Sequence, residues 1–260
     1  MMEITRENFN TNAGEVAFDR EHYRKIRYNI EKYNAAVHRG RSFYSDLELA
    51  RTRAGFYKYQ SVNELEKYLK EFESRFEARG GKVIWALDTA DAVKQIHSIL
   101  DRFDVRRLVK SKSMITEEIG LNEFLVSRNI EPVETDLGEF IVQTAGQKPY
   151  HIVTPAMHMS REDVSTLFSE KFGLEPHSSP EAVTAFVRDH LREKFYEAGA
   201  GISGANFLIA DTGSVALTEN EGNALLTTSL PQIHIVVAGI EKIIPSVRQL
   251  DLFWPLLATN

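Results

Sequence analysis

The stretch that decides the fold is residues 107–118, which read RLVKSKSMITEE. Arg107–Lys110 is predicted as a strand, and Ser113 stands at the capping position of the helix that follows it. A strand that runs directly into a helix is the first half of a βαβ unit, the repeating element of parallel sheets. The stretch therefore predicts a parallel sheet with helices packed on its faces.

The same alternation extends on both sides of this stretch. Lys82–Leu87 (KVIWAL) is a short apolar run between turn residues, and apolar residues then recur at helical spacing from Val93 to Phe103. Pro180 follows a capping Ser179 and opens a further amphipathic helix. The fold class is therefore predicted as α/β, with a mixed but mainly parallel sheet covered by helices. Further strands of this sheet are predicted at Ile130–Glu134, His151–Thr154 and Ile233–Val237.

Two glycine-containing separators change the pattern in the last third of the chain. They read DTGS (211–214) and NEGN (220–223), which is the chemistry of tight turns. We expect an antiparallel meander beside the parallel sheet. Its strands are predicted at Phe207–Ala210, Ser214–Leu217 and Ala224–Thr228.

Residues 1–79 are rich in Arg, Lys, Glu, Tyr and Phe and are predicted to be helical. The clearest helix is expected to begin at a capping box formed by Ser61 and Glu64, and Gly80–Gly81 would stop it. The predicted organisation is a helical extension (1–79), an α/β domain (80–245) and a C-terminal tail (246–260).

Composition excludes several classes of function. The 260 residues carry a net charge of −6 and no cysteine. The absence of cysteine excludes a disulfide framework, a thiol nucleophile, a cysteine-ligated zinc site and an iron–sulfur cluster held by these residues. There is no basic stripe that would indicate nucleic-acid binding, and no apolar run approaches the roughly 18 residues of a membrane span. We expect a cytoplasmic protein.

Lys110, Ser111, Lys112 and Ser113 are the first candidate site. They lie where a parallel strand ends and a helix begins, the edge at which open α/β sheets bind ligands. Two ammonium groups and two hydroxyl groups there could hold a phosphate or a carboxylate. The alternative is a solvated basic turn in which Ser113 is an ordinary helix cap.

Other motifs are more simply explained by structure. Residues 199–204 match G-x-G-x-x-G, but the expected helix before and strand after reverse the dinucleotide-binding order, so a helix end and turn is predicted. His151 and His158 lack metal-ligand spacing, His234 could face a cleft, and Asp211–Gly213 is a hairpin turn rather than a protease motif. No metal site is predicted.

The order of the motifs, rather than any one of them, resembles a known family. The series is KSKSM (110–114), EEIGLN (117–122), ETDLGE (134–139), HIVTPA (151–156), GISGANF (201–207), DTGS (211–214), TENEGN (218–223) and GIEK (239–242). Over about residues 60–245 it closely resembles the LUD domain of the lactate utilisation protein B family.

The resemblance implies a fold similar to the NagB/RpiA/CoA-transferase group. It also implies participation, with other lactate utilisation proteins of the same complex, in the oxidation of L-lactate to pyruvate. Family members hold iron–sulfur clusters in a cysteine-rich, ferredoxin-like segment after the LUD domain. This chain contains no cysteine, so no cofactor is expected within it. The tail at 246–260 would then be the link to that segment, unless the chain is a domain-only relative.

By fold analogy, we expect a cleft where the segment 110–113 meets the turn 201–206 and the loop 220–223. The catalytic residues are unknown, and Glu221 and Glu139 are the candidates. Two functions remain open, namely a ligand-binding or docking module of an electron-transfer complex, and a free-standing CoA-transferase-like or isomerase-like enzyme acting on a small phosphate or carboxylate. A purely structural scaffold is a third. The residues expected to bind a small anionic ligand are Lys110, Ser111, Lys112, Ser113, Gly204, Asn206, Thr212, Gly213, Glu221 and Asn223.

Overall fold

Twelve α-helices and seven strands are present in the computed structural model, which describes residues 6–151, 154–219, 221–257 and 259. The α-helices are α1 (Arg6–Phe18), α2 (Arg20–Arg41), α3 (Leu47–Asn63), α4 (Leu65–Glu77), α5 (Thr89–Arg102), α6 (Met114–Glu118), α7 (Leu121–Val126), α8 (Leu137–Thr144), α9 (Arg161–Phe172), α10 (Pro180–Glu197), α11 (Asn223–Ser229) and α12 (Leu250–Leu257). The strands are β1 (Arg107–Lys110), β2 (Glu131–Glu134), β3 (Ala200–Ser203), β4 (Phe207–Ile209), β5 (Ser214–Ala216), β6 (Ile233–Val236) and β7 (Ile243–Ile244). Two short 3₁₀ helices, Ile240–Lys242 and Val247–Gln249, flank β7.

The main sheet confirms the predicted fold class. Its four strands are all parallel, in the order β2-β1-β3-β6. Side chains alternate across the sheet, so Leu108 packs with α5 and α7 on one face, whereas Val109 packs with α8, α9 and α10 on the other. Both residues are fully buried. A sheet covered on both faces is what parallel βαβ connections produce.

A second, smaller sheet has the order β5-β4-β7. The β4–β5 pair is antiparallel, as predicted, while β7 joins β4 in parallel. The α3 and α12 helices cover one side of this sheet through a cluster that contains Phe207 and Phe253, and α4 covers the other through Tyr68 and Phe72. The helices α3, α4 and α12 thus share one packed unit with the second sheet.

Two predicted strands are wrong. Ala224–Thr228 lies in the helix α11, which begins after Gly222 at a φ of 77°, and Thr227 donates its hydroxyl to the Asn223 carbonyl four residues earlier. Lys82–Leu87 lies wholly within the described residues and forms no strand there. Val83 packs beside α4 instead, and Leu87 is exposed. A short apolar run cannot by itself distinguish a strand from a helix or a packed loop, because strand formation needs a pairing partner elsewhere in the chain.

The predicted fourth strand, His151–Thr154, has its two central residues outside the described part of the chain. The flanking His151 and Thr154 are not in strand conformation.

The predicted capping box at Ser61 is also wrong. Ser61 lies in the last turn of α3, where its hydroxyl donates to the Tyr57 carbonyl, and the next helix begins four residues later at Leu65. The residues that α4 buries are Tyr68 and Phe72.

The predicted turn at 199–204 is instead strand β3, and Gly201 within it permits close packing. A Cβ atom at Gly201 would lie 1.9 Å from the Thr227 carbonyl oxygen of α11. The clash would be with a backbone oxygen, so it could not be relieved by a change of side-chain rotamer. We expect Gly201→Ala to destabilise the protein by about 3 kcal/mol or more, measured by urea unfolding.

Gly55→Ala is the matched control for that measurement. Gly55 lies inside α3, and no described atom comes within 4 Å of a Cβ atom there. Because alanine has the higher helix propensity, we expect this change to raise stability by up to about 1 kcal/mol. Equal effects at the two glycines would contradict the role assigned to the β3–α11 contact.

Candidate functional site

A cleft of about 400 Å³ opens at the carboxyl end of the main sheet. The segments that follow each of its four strands line the cleft: Ser111–Ser113 after β1, Asp136 after β2, Gly204–Asn206 after β3, and Val237–Gly239 after β6. Parallel strands place all of these segments on one edge. The cleft therefore lies where open α/β sheets bind their ligands.

The order in which strands are added to the main sheet reverses at β1. The chain passes from β1 to β2 on one side, and the later strands β3 and β6 are added on the other side. Such a switch point leaves a gap between neighbouring loops, here the loops after β1 and β3. The gap is narrow because a Cβ atom at Gly204 would come within 2.7 Å of the Ser113 hydroxyl. Glycine at 204 keeps the two loops in contact.

Two serine hydroxyls at this switch point are buried. Ser111 is 2% exposed and Ser113 is 8% exposed, and among the described residues neither hydroxyl has a hydrogen-bond partner. The Ser111 backbone is held by its N–H bond to the Ile202 carbonyl, 3.0 Å away. A buried hydroxyl without a partner is unfavourable, so these two groups are suited to receive polar atoms of a ligand or of water.

Lys110 lies beneath the cleft, 1% exposed, and its ammonium group is fully engaged. Its Nζ lies 2.9 Å from the Thr116 hydroxyl, 2.7 Å from Glu117 and 2.8 Å from Glu134. An ammonium group has three hydrogens, and these three acceptors account for all of them. Burial opposes the charged form, yet the carboxylates of Glu134 and Glu117 raise the pKa of Lys110. The lysine therefore stays charged and organises the floor of the site.

Glu134 is the partner that sequence reasoning missed. Parallel pairing places it directly beside Lys110 in the register of β1 and β2. It is 3% exposed, and Asn122 donates to its Oε1 at 2.7 Å, whereas its Oε2 has no partner among the described residues. Burial raises the pKa of Glu134.

Glu139 stands in the first turn of α8 and is 4% exposed. Burial, reinforced by the negative charge of Glu134, raises its pKa to about 7. The positive charge of Lys112, which lines the cleft, acts in the opposite direction. Glu139 is therefore a carboxyl group that changes its charge near neutral pH.

Glu221 is exposed, but its carboxylate lies against the start of α8, where it accepts the Leu137 N–H at 3.3 Å. Local desolvation of the carboxyl group and the charge of Asp136 raise the pKa of Glu221. Asn220, the first residue of this loop, lies outside the described residues.

The structure brings most of the expected ligand-binding residues together. Lys110 lies below the cleft rather than in its wall, and Glu221 lies beside the N-terminus of α8. Thr212 and Gly213 are elsewhere, because the β4–β5 turn packs so tightly on α4 that a Cβ atom at Gly213 would meet the Phe76 backbone N at 2.5 Å. Those that line the cleft are Ser111, Lys112, Ser113, Gly204, Asn206 and Asn223.

Acidic side chains also line the rim of the cleft, and most of them have partners. Asp136 accepts the Glu139 N–H at 3.1 Å as the cap of α8, and Glu219 accepts the Leu225 N–H at 3.0 Å. Glu241 pairs with Lys242 at 3.7 Å. The acids at these positions therefore support the loops of the rim.

The histidines play local parts in the described structure. His234 bonds through Nε2 to the Ser203 hydroxyl at 2.8 Å, and His158 bonds to Gln147 at 2.7 Å.

Within residues 6–151, 154–219, 221–257 and 259, no group of three or more His, Asp or Glu side chains could hold a metal ion. In the same ranges, no helix is both long enough and apolar enough to cross a membrane.

Comparison with known proteins gives the family. The LUD domain family matches residues 69–260, which include the main sheet, the cleft and the second sheet. The chain belongs to the LUD domain family. No solved structure matches it.

Curated relatives of this LUD domain are longer proteins. Lactate utilization protein B of Bacillus pumilus is 43% identical over 204 residues, which is 78% of this chain and 43% of that protein. The uncharacterized electron transport protein YkgF of Escherichia coli is 41% identical over 210 residues, 81% of this chain and 44% of that protein. Lactate utilization protein B of Oceanobacillus iheyensis is 41% identical over 197 residues, 76% of this chain and 41% of that protein. This chain spans less than half the length of these relatives.

Proposed function

We propose that this LUD domain binds a small hydroxy- or oxo-carboxylate in the cleft at the carboxyl end of the main sheet, as the ligand-binding part of a system that oxidises L-lactate to pyruvate. The observation that carries the proposal is the pair of buried hydroxyls of Ser111 and Ser113 at the switch point of the sheet, neither of which has a hydrogen-bond partner among the described residues. Lys112 stands between them and supplies a positive charge for a carboxylate.

The names of the relatives support the choice of ligand. Two of the three relatives above are named lactate utilization protein B, and the third is named an electron transport protein. A small 2-hydroxy acid offers one carboxylate for Lys112 and one hydroxyl group for the serines, which matches the donors and acceptors in the cleft.

Electron transfer through an iron–sulfur cluster would require ligands from outside these 260 residues. Cysteine thiolates are the usual ligands of iron–sulfur clusters, and the chain has none. The residues present do not fit a cluster, so we assign no electron-transfer step to them. In the proposed system, this domain acts together with other lactate utilisation proteins that carry the redox groups.

Calorimetric titration of the chain with L-lactate and with pyruvate tests the proposal. We expect saturable binding of at least one of them, and Ser111→Ala and Lys112→Gln should each weaken it by about tenfold or more, since each removes a polar partner in a desolvated site. Lys148→Gln is the control, because this side chain is 89% exposed and lies outside the cleft lining. Absence of binding, or equal loss in all three variants, would contradict the proposed function.

A second function is favoured by one observation, the buried carboxyl of Glu139 with its pKa of about 7. A group of that kind can act as a general base at neutral pH, as an isomerase-like enzyme would require, and its ionised form can act as the carboxylate nucleophile of a CoA-transferase-like enzyme. Exchange of the pyruvate methyl hydrogens for deuterium, followed by proton NMR, tests proton abstraction directly. A rate above the buffer background that disappears in Glu139→Gln or Glu221→Gln would support the enzyme, and background exchange would exclude this chemistry on pyruvate.

A further inference from the structure

The charge buried beneath the cleft is not balanced. Lys110 is a buried cation paired with Glu117 and Glu134, and Glu139, which is 4% exposed, is a further buried carboxyl group whose ionised form is opposed by the charges of Glu134 and Glu117. Glu117 and Glu134 already share its ammonium group, and Glu139 has no place among the three acceptors of that group. A buried carboxylate without a cation of its own is strongly unfavourable, and such groups hold a proton instead.

Lys112 connects these buried groups to the cleft. It lines the cleft, and its positive charge favours the ionised form of Glu139. An anion that pairs with Lys112 cancels that charge and brings its own negative charge close to the buried carboxyl groups. Both effects disfavour the ionised form of Glu139, so occupancy of the cleft and protonation of Glu139 reinforce each other.

We propose that the cleft takes up a singly charged carboxylate together with one proton, which Glu139 holds. This inference rests on the proposed function and adds the charge of the ligand and the proton coupled to it. Because the proton stays on the protein, ligand affinity should fall as the pH rises above neutral.

Other titratable groups lie close to Glu139 and bear on the assignment of the proton. Burial lowers the pKa of His190, whose ring contacts Phe140 of α8, so this histidine is neutral at pH 7 and above. Glu221 is a second carboxyl near the cleft and must be tested separately. The charged groups that face Glu139 from the surrounding elements are Lys110 of β1, Lys112 of the loop after β1, Glu117 of α6 and Glu134 of β2.

Calorimetry in two buffers of different ionisation enthalpy, phosphate and Tris, measures the proton. With pyruvate or L-lactate at pH 7.5, we expect the apparent binding enthalpies to differ by an amount that corresponds to uptake of roughly half to one proton per ligand bound. The affinity should fall by up to about tenfold per pH unit between pH 7.5 and 9. Malonate, which carries two charges, should bind at least about tenfold more weakly because the acidic rim faces its second carboxylate.

Substitutions at single carboxyl groups show which residue holds the proton that is taken up with the ligand. Glu139→Gln should bind the same ligands with no proton uptake and with an affinity that does not change between pH 7.5 and 9. Glu221→Gln and the surface control Glu123→Gln should keep the uptake. Infrared difference spectra of the unmodified chain give a second measure that requires no substitution, since ligand binding should produce the band of a newly protonated carboxyl group.

The outcomes separate the two proposals. If neither pyruvate nor L-lactate binds at any pH, the proposed function is wrong, and this inference falls with it. If either binds without proton uptake, if malonate binds as tightly, or if Glu139→Gln retains the uptake, the ligand-binding function stands and the inference is overturned.

Discussion

Replacement of Lys110 by methionine is expected to destabilise the folded protein by about 3–5 kcal/mol in urea unfolding at pH 7. Methionine fills a similar volume, so the loss would come from charge rather than from a cavity. Glu134, which is 3% exposed, would lose the cation that compensates its burial, and the Thr116 hydroxyl would lose its donor. Removing one partner of a buried ion pair costs far more than the pair itself contributes.

The double variant Lys110→Met/Glu134→Gln identifies the cause of that loss. Glutamine carries no charge and can still accept the hydrogen bond from the Asn122 amide. The double variant should therefore recover at least half of the stability lost in the single variant. Lys67→Met is the control, because Lys67 and Glu64 form a pair in which both side chains are largely exposed, and such pairs contribute little. If the double variant were no more stable than Lys110→Met alone, the uncompensated charge of Glu134 would not be the cause.

The main sheet could be predicted because local sequence and pairing agree in it. Arg107–Lys110, Ile130–Glu134 and Ile233–Val237 all have apolar residues between charged or turn residues, and all three form strands. The segments 82–87 and 224–228 have the same local pattern, but neither of them pairs with a strand of a sheet. Their states depend on tertiary contacts, such as that of Gly201 with the Thr227 carbonyl, which no local pattern contains.

The position of the cleft could also be predicted, but the role of Lys110 could not. The carboxyl ends of parallel strands meet at one edge whatever their side chains are, so Ser111–Ser113 and Gly204 were expected there. Whether Lys110 faces ligand or interior depends on the register of β1 with β2, which places Glu134 beside it from 24 positions further along the chain. Register is a property of the assembled sheet and is not contained in any local stretch of sequence. The position of the β4–β5 turn, which places Thr212 and Gly213 against α4, likewise depends on tertiary packing.

Glu139→Gln is expected to stabilise the protein above pH 7 and to flatten its pH dependence. The folded-state pKa of Glu139 is about 7, raised from the ordinary value of 4.5 by burial and by Glu134. The folded state therefore binds a proton more tightly than the unfolded chain does. The stability that this proton provides is complete below about pH 4.5 and is lost as the pH rises to about 7, with a total of about 3 kcal/mol for this interval.

Glutamine has no charge to bury at any pH, so the difference in unfolding free energy between the variant and the original chain isolates this single group. That difference should grow in favour of the variant from pH 5 to pH 7.5 and approach a plateau of up to about 3 kcal/mol near pH 8. Glu123→Gln, on the exposed side of α7, should show no such trend. A pH-independent difference at Glu139 would mean that the carboxyl group is already ionised at pH 5. Three carboxylates, those of Glu117, Glu134 and Glu139, would then lie near the single ammonium group of Lys110, whose three hydrogens are taken by Thr116, Glu117 and Glu134.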